Sequence, residues 1–176
     1  MERYLFVIDY QNDFVSGALG FPGAEKLDAG IAARVRAYGP GRVIFTRDTH
    51  EECYMETQEG RNLPVPHCIR GSEGWTLEPE IAGECARGMI SFEKPTFGST
   101  DLVEHIKANY VPEEIEIEII GLCTDICVVS NALILKAKLP EVKISVDSSC
   151  CAGVTPEKHQ AALETMRSCQ IIVRGE

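Results

Sequence analysis

The stretch GLCTDICVVS, residues 121–130, places Cys123 and Cys127 four positions apart at the end of an apolar run. Thiols so placed can be buried fillers, a redox pair, metal ligands, or a nucleophile with a bystander. Eight cysteines occur and no CxxC, so a thioredoxin-like redox site and a cysteine zinc finger both lack their usual spacing. Asp9 closes another apolar run in VIDYQNDF, and Lys94 closes a third in FEKPTFGS. A carboxylate beside a thiol can act as general base and later as acid. A helix start and a nearby ammonium both favour the thiolate. Backbone N–H groups in the turn can receive a developing oxyanion. Asp9, Lys94 and Cys127 together would make a kit for acyl transfer. Singly, each has an ordinary use: Asp caps or pairs, Lys is solvated, Cys packs. Placement at equivalent strand ends is what lifts the chemical reading.

A second group follows. Asp48 and His50 form a D-x-H pair at the end of an apolar run, with Glu59 and His67 beyond it. Carboxylate and imidazole donors suit Zn, Mn or Fe. The pair is short enough to arise by chance, and histidines also serve as core or capping groups. Glu51, Glu52 and Glu56 compete with Glu59 as the carboxylate.

These residues need elements to bring them together. Apolar runs at 3–10, 42–48, 88–94, 114–121, 141–148 and 170–174 read as strands. Helical patterns lie between them at 26–39, 99–110, 124–138 and 155–169, the last opening on Thr155 and Pro156. Alternating β and α predicts an α/β fold: one doubly wound, Rossmann-like, six-stranded, mostly parallel sheet with helices on both faces. Ligands of such sheets bind beyond the carboxyl ends of the strands. The region 48–88 breaks the alternation and reads as an irregular loop that carries function. A plain insertion covering the sheet edge is the other reading.

The bulk numbers suit a single domain over 1–176, with a 44% hydrophobic and 25% charged composition. A net charge of −10 argues against nucleic acid and against a basic membrane-binding surface. The first apolar run is too short for a signal-peptide core, and no run approaches the roughly 18 residues of a membrane span. A cytoplasmic location is the expectation. The eight cysteines then read mostly as buried thiols rather than as a disulfide framework.

Five pieces, in order along the chain, carry a resemblance: VIDYQNDF, FTRDTH, LPVPHCIRGSEGW, FEKPTFGST and GLCTDICVVSNAL. The sequence resembles the isochorismatase-like cysteine hydrolases, and within them the nicotinamidases. The resemblance implies Cys127 as nucleophile, Asp9 as general base and acid, and Lys94 as the group that stabilises the thiolate. It implies a cis peptide at Leu122–Cys123, with the N–H groups of Cys123 and Cys127 as oxyanion hole. It implies a divalent metal on Asp48, His50, His67 and Glu59 that holds the pyridine nitrogen of nicotinamide. Phe14 and Trp75 become pocket walls, and a homo-oligomer is expected. The implied reaction is hydrolysis of a small carboxamide, nicotinamide first. The alternatives are another small amide, carbamoyl or ureido compound, an isochorismatase-type reaction, or a redox-sensing or binding protein on the same scaffold.

Overall fold

The computed structural model describes residues 1–85 and 88–175. Residues 86 and 87, inside the 48–88 region, and residue 176 lie outside that description. Six strands form one sheet: β1 Glu2–Ile8, β2 Val43–Asp48, β3 Ile90–Lys94, β4 Ile115–Leu122, β5 Lys143–Ala152 and β6 Ile172–Arg174. Seven α-helices accompany them: α1 Asn12–Val15, α2 Asp28–Tyr38, α3 Gln58–Asn62, α4 Pro79–Cys85, α5 Thr100–Asn109, α6 Val129–Lys138 and α7 Pro156–Ser168. The strand order is β3-β2-β1-β4-β5-β6, and every pairing is parallel, not merely most of them.

The central strands are apolar on both faces because helices cover both. Leu5, Phe6, Val7 and Ile8 of β1 are fully buried, as are Ile117, Ile119 and Ile120 of β4. On one face α2 packs against α4, and elsewhere α6 packs against both α5 and α7. The helix starts follow their caps. Ser99 accepts a hydrogen bond from Leu102 N at the head of α5, and Thr155 accepts one from Lys158 N at the head of α7.

Chain order reverses between β1 and β4, and register aligns the carboxyl ends there. Ile8 pairs with Gly121, while Asp48 pairs with Lys94 on the other side of β1. A crevice at the carboxyl edge of such a switch point is where ligands bind. Gly121 is required by this pairing: its φ is +119°, and a Cβ would lie 2.1 Å from the Ile8 carbonyl oxygen.

Three sequence expectations change. Strand 3–10 stops at Ile8, and Asp9 turns out of the sheet with φ +45°. The 48–88 region is not irregular throughout, since a 3₁₀ turn at Tyr54–Glu56 and helices α3 and α4 occupy much of it. The helix expected over 124–138 starts as a π-type turn, Thr124–Val128, before α6. Among the described residues, no helix is long and apolar enough to cross a membrane.

Candidate active site

Asp9 leaves β1 at the switch point and is fully buried. Its positive φ swings the carboxylate across the strand ends rather than along β1. Thr46, from the middle of β2, donates to Asp9 Oδ1 at 2.7 Å. Lys94, at the end of β3, puts Nζ 2.5 Å from Asp9 Oδ2 with only 1% of its surface exposed. The same ammonium donates to Thr96 O at 3.0 Å, to Asp48 Oδ1 at 3.4 Å and to Cys127 Sγ at 3.6 Å. Cys127 sits in the π-type turn after β4, near enough to Asp9 for that carboxyl to act on its thiol. Acid, ammonium and thiol are thus in mutual contact, from three different strand ends.

The electrostatics weigh against a resting thiolate, although a turn start and a nearby ammonium both favour one. Burial pushes the Cys127 thiol well above its usual range, and the Asp9 charge adds to this; Lys94 opposes both and does not overcome them. Asp9 is itself raised by burial, with Lys94 pulling it back. A turn N-terminus is worth about 1 kcal/mol to a thiolate, less than full burial costs it. The resting sulfur is therefore a thiol, one proton transfer short of a nucleophile.

The turn that presents Cys127 starts at a cis peptide, Leu122–Cys123, as the resemblance implied. Ile126 N and Val128 N both bond to Cys123 O, which winds the turn tightly around that carbonyl. Cys123 and Cys127 are separate free thiols, as are all eight cysteines. Burial, first, then Asp125 and Asp9 push the Cys123 thiol up to about 12, so it stays protonated and is no rival nucleophile.

The second group converges beside the first. His50 Nε2 lies 3.0 Å and His67 Nε2 3.4 Å from Asp48 Oδ2. Glu59 Oε1, carried in by α3, lies 3.7 and 3.8 Å from the same two nitrogens. Glu51 instead pairs with Arg70 on the surface, and Glu52 and Glu56 are exposed. Donor atoms of Asp48, His50 and His67 fall within 4.8 Å of one another, as a shared cation needs. His67 Nδ1 bonds to Val65 O at 2.8 Å, which orients the ring so that Nε2 faces the cluster. Two imidazoles and two carboxylates fit a borderline divalent ion such as Zn, Mn or Fe. Burial alone would raise Asp48, but hydrogen bonds from His50 and His67 outweigh it and hold the carboxyl well below its usual range.

A narrow slot joins the two groups. Its inner end is Cys123, Cys127, Asp48, Glu59 and His67, and its walls are Phe14, Leu19, Leu63, Phe97 and Ile126. It encloses about 320 Å³ including the mouth. That is room for a flat, small molecule. Phe14 is a wall as expected, its ring 5.8 Å from that of His67. Trp75 is not among the lining residues. It stacks under the Arg47 guanidinium at 4.1 Å and donates to Thr49 Oγ1, so it braces β2 from behind.

Some functional positions had no motif in the sequence. Gln11 is fully buried; its amide donates to Asp48 O and Trp75 O and accepts from Asp48 N, clamping the strand end that bears Asp48. Asp13 accepts from Cys68 N and so ties the His67 loop to α1. Two polar side chains in the run QNDF, just past a buried strand, were the available signal. Leu63 and Phe97 lie in the LPVPHCIRGSEGW and FEKPTFGST pieces, but each comes from a loop, where no periodicity shows which way a side chain faces.

A buried thiol, carboxylate and ammonium at the carboxyl edge of a doubly wound parallel sheet define the machinery of an acyl-transfer enzyme. Residues 3–175 match the Isochorismatase domain, and the chain belongs to that family. It is 26% identical over 184 residues to a nicotinamidase/pyrazinamidase of Mycobacterium tuberculosis, covering 96% of each. Among solved structures, the nicotinamidase of Bacillus subtilis superposes with a TM-score of 0.84 at 28% identity, over 99% of each chain. The pyrazinamidase of Pyrococcus horikoshii, solved in complex with zinc, superposes with a TM-score of 0.78 at 24% identity, over 98% of each chain. The chain is an amidohydrolase of the nicotinamidase-like branch, and relatives at this distance support nicotinamide hydrolysis as the activity of the group.

Proposed function

We propose that this chain hydrolyses nicotinamide to nicotinate and ammonia through a thioester on Cys127. The observation that carries the reading is the contact of Lys94 Nζ with both Asp9 and Cys127, with Cys127 lining the same slot as Asp48, His67 and Glu59 of the second cluster. Asp9 takes the thiol proton, and Lys94 steadies the thiolate so formed. The sulfur attacks the amide carbon. The N–H groups of Cys123 and Cys127 receive the oxyanion, and Asp9 returns its proton to the departing ammonia. A water deprotonated by Asp9 then cleaves the thioester and releases the acid. Asp48, His50, His67 and Glu59 would hold a divalent ion. When bound, it supplies a Lewis acid that anchors the ring nitrogen.

The charge of the slot favours this over an isochorismatase-type reaction. Its lining includes no arginine or lysine to pair with a dianionic substrate, and the two carboxylates, Asp48 and Glu59, would at most be neutralised by the ion they hold, whereas a neutral amide needs no such partner. An ammonia-release assay over a panel of small amides tests the proposal. Nicotinamide should be turned over, and Cys127→Ala should lose at least about 10³-fold in kcat while keeping its fold by circular dichroism. Full amidase activity in Cys127→Ala, or turnover of every amide except the pyridine carboxamides, removes the proposal.

A further inference from the structure

Asn131 lies one turn beyond Cys127 and is 1% exposed, yet the chemistry above does not use it. Its amide makes three buried connections. Oδ1 accepts from Ser99 N at 2.9 Å. Nδ2 donates to Cys127 O at 2.8 Å and to Phe97 O at 3.1 Å. The orientation of the amide is unambiguous, because one partner can only donate and two can only accept.

The three partners belong to different parts of the site. Cys127 bears the nucleophilic sulfur. Phe97 is a slot wall with 44% of its surface exposed. Ser99 caps α5, and the link 95–98 from Lys94 to that cap is short. Lys94 Nζ anchors one end of the link through Thr96 O, and Asn131 anchors the other. The link presses on α6 as well: a Cβ on Gly98 would lie 2.3 Å from Ile134 Cδ1. Phe97 therefore has no rigid element of its own to hold its backbone. Lys94 and the packing of Gly98 hold the neighbouring residues, and the hydrogen bonds that tie the Phe97 backbone itself to that of Cys127 run through the Asn131 amide.

We infer that Asn131 is a positioning residue that sets the gap between the Cys127 sulfur and the Phe97 wall of the slot. The inference rests on Cys127 being the nucleophile. It predicts two separable contributions, one to chemistry through the Cys127 carbonyl and one to substrate binding through the Phe97–Ser99 link.

Two substitutions separate them. Asn131→Leu keeps the heavy-atom count and the branch point and removes all three hydrogen bonds. Asn131→Thr leaves a hydroxyl that can donate back to the carbonyl four residues earlier, here Cys127 O, but is too short to clasp the link. Steady-state ammonia release from nicotinamide, per folded enzyme by active-site count, gives kcat and KM for each. Asn131→Leu should lose about tenfold in kcat and gain severalfold in KM, the scale of buried polar groups left unpaired. Asn131→Thr should recover most of kcat while KM stays raised. The inference is overturned if folded Asn131→Leu has wild-type kcat and KM, if only its melting temperature falls, or if the two variants share one kcat. Should Asn131→Leu fail to fold, the kcat–KM split in Asn131→Thr decides alone, and its absence overturns the inference. Cys127→Ala assayed alongside keeps the two readings apart: its retained activity would sink the nucleophile, whereas its loss beside an unaffected Asn131 variant sinks only the positioning.

Discussion

Replacing Lys94 by methionine removes a buried ammonium and little volume. Asp9 is then a carboxylate with no exposed surface and no cation. At 2.5 Å, an ammonium–carboxylate contact is worth about 6–7 kcal/mol at an effective dielectric near 20. Leaving Asp9 charged and alone would therefore cost more than protonating it, since holding an ordinary carboxyl protonated at pH 7 costs only about 4 kcal/mol. Protonation wins. K94M should lose about 4 kcal/mol of stability at pH 7, within the range for breaking one side of a buried pair. The folded protein then binds a proton that the unfolded chain has released, so stability falls as pH rises from the usual carboxylate range to the raised folded value. The deficit should shrink on acidification by about 1.4 kcal/mol per pH unit. Activity should move the opposite way. A protonated Asp9 cannot take the Cys127 proton, so kcat/KM at pH 7 should drop about 10³-fold and recover as pH is raised. Urea unfolding at pH 5 and 7 reads the first effect, and ammonia release from pH 6 to 9 reads the second. K94M with equal stability at both pH values and a wild-type pH profile would refute the coupling of Asp9 to Lys94.

Four other outcomes follow from the same geometry. Dialysis against a chelator should lower nicotinamide turnover, with recovery on adding Zn, Mn or Fe; full activity in protein that elemental analysis finds free of metal would count against the Asp48 cluster. Gln11→Leu orphans two carbonyls and one N–H around Asp48 and Trp75, and should cost about 3 kcal/mol and weaken metal binding about 10- to 100-fold, measured by titration with a metal indicator. Gly121→Ala forces a Cβ to within 2.1 Å of Ile8 O at a φ of +119°, so it should destabilise by at least about 3 kcal/mol in urea. In the wild type, the acid limb of kcat/KM should lie above about pH 4, the ordinary carboxylate range, because burial raises Asp9.

What the chain alone determined was the order of its elements and the identity of its reactive groups. Apolar runs such as YLFVI and IEIEII can be buried only inside a sheet covered on both faces, and alternation with helical periods leaves few ways to connect them. Asp9, Lys94 and Cys127 were legible because each ends an apolar run, and such ends converge in a parallel sheet. Asp48, His50 and His67 were legible by type. Glu59 was legible only as one of several acids, because α3, which turns it inward while Glu51, Glu52 and Glu56 stay outside, has no apolar period to announce it. Trp75 read as a wall because large aromatics line pockets, and only the packed structure shows Arg47 and Thr49 holding it behind β2. The protonation state was beyond the sequence as well. A helix start and a lysine argue locally for a thiolate, while burial, which sums over the whole fold, argues against it and prevails. Gln11 and Asn131 act through backbone atoms far away in the chain, and a side chain that bonds to backbone leaves no partner residue type to search for. Periodicity and residue type are local, so the sequence carries them openly. Distance, burial and the charge they impose come from segments meeting in space, and tertiary structure alone decided those.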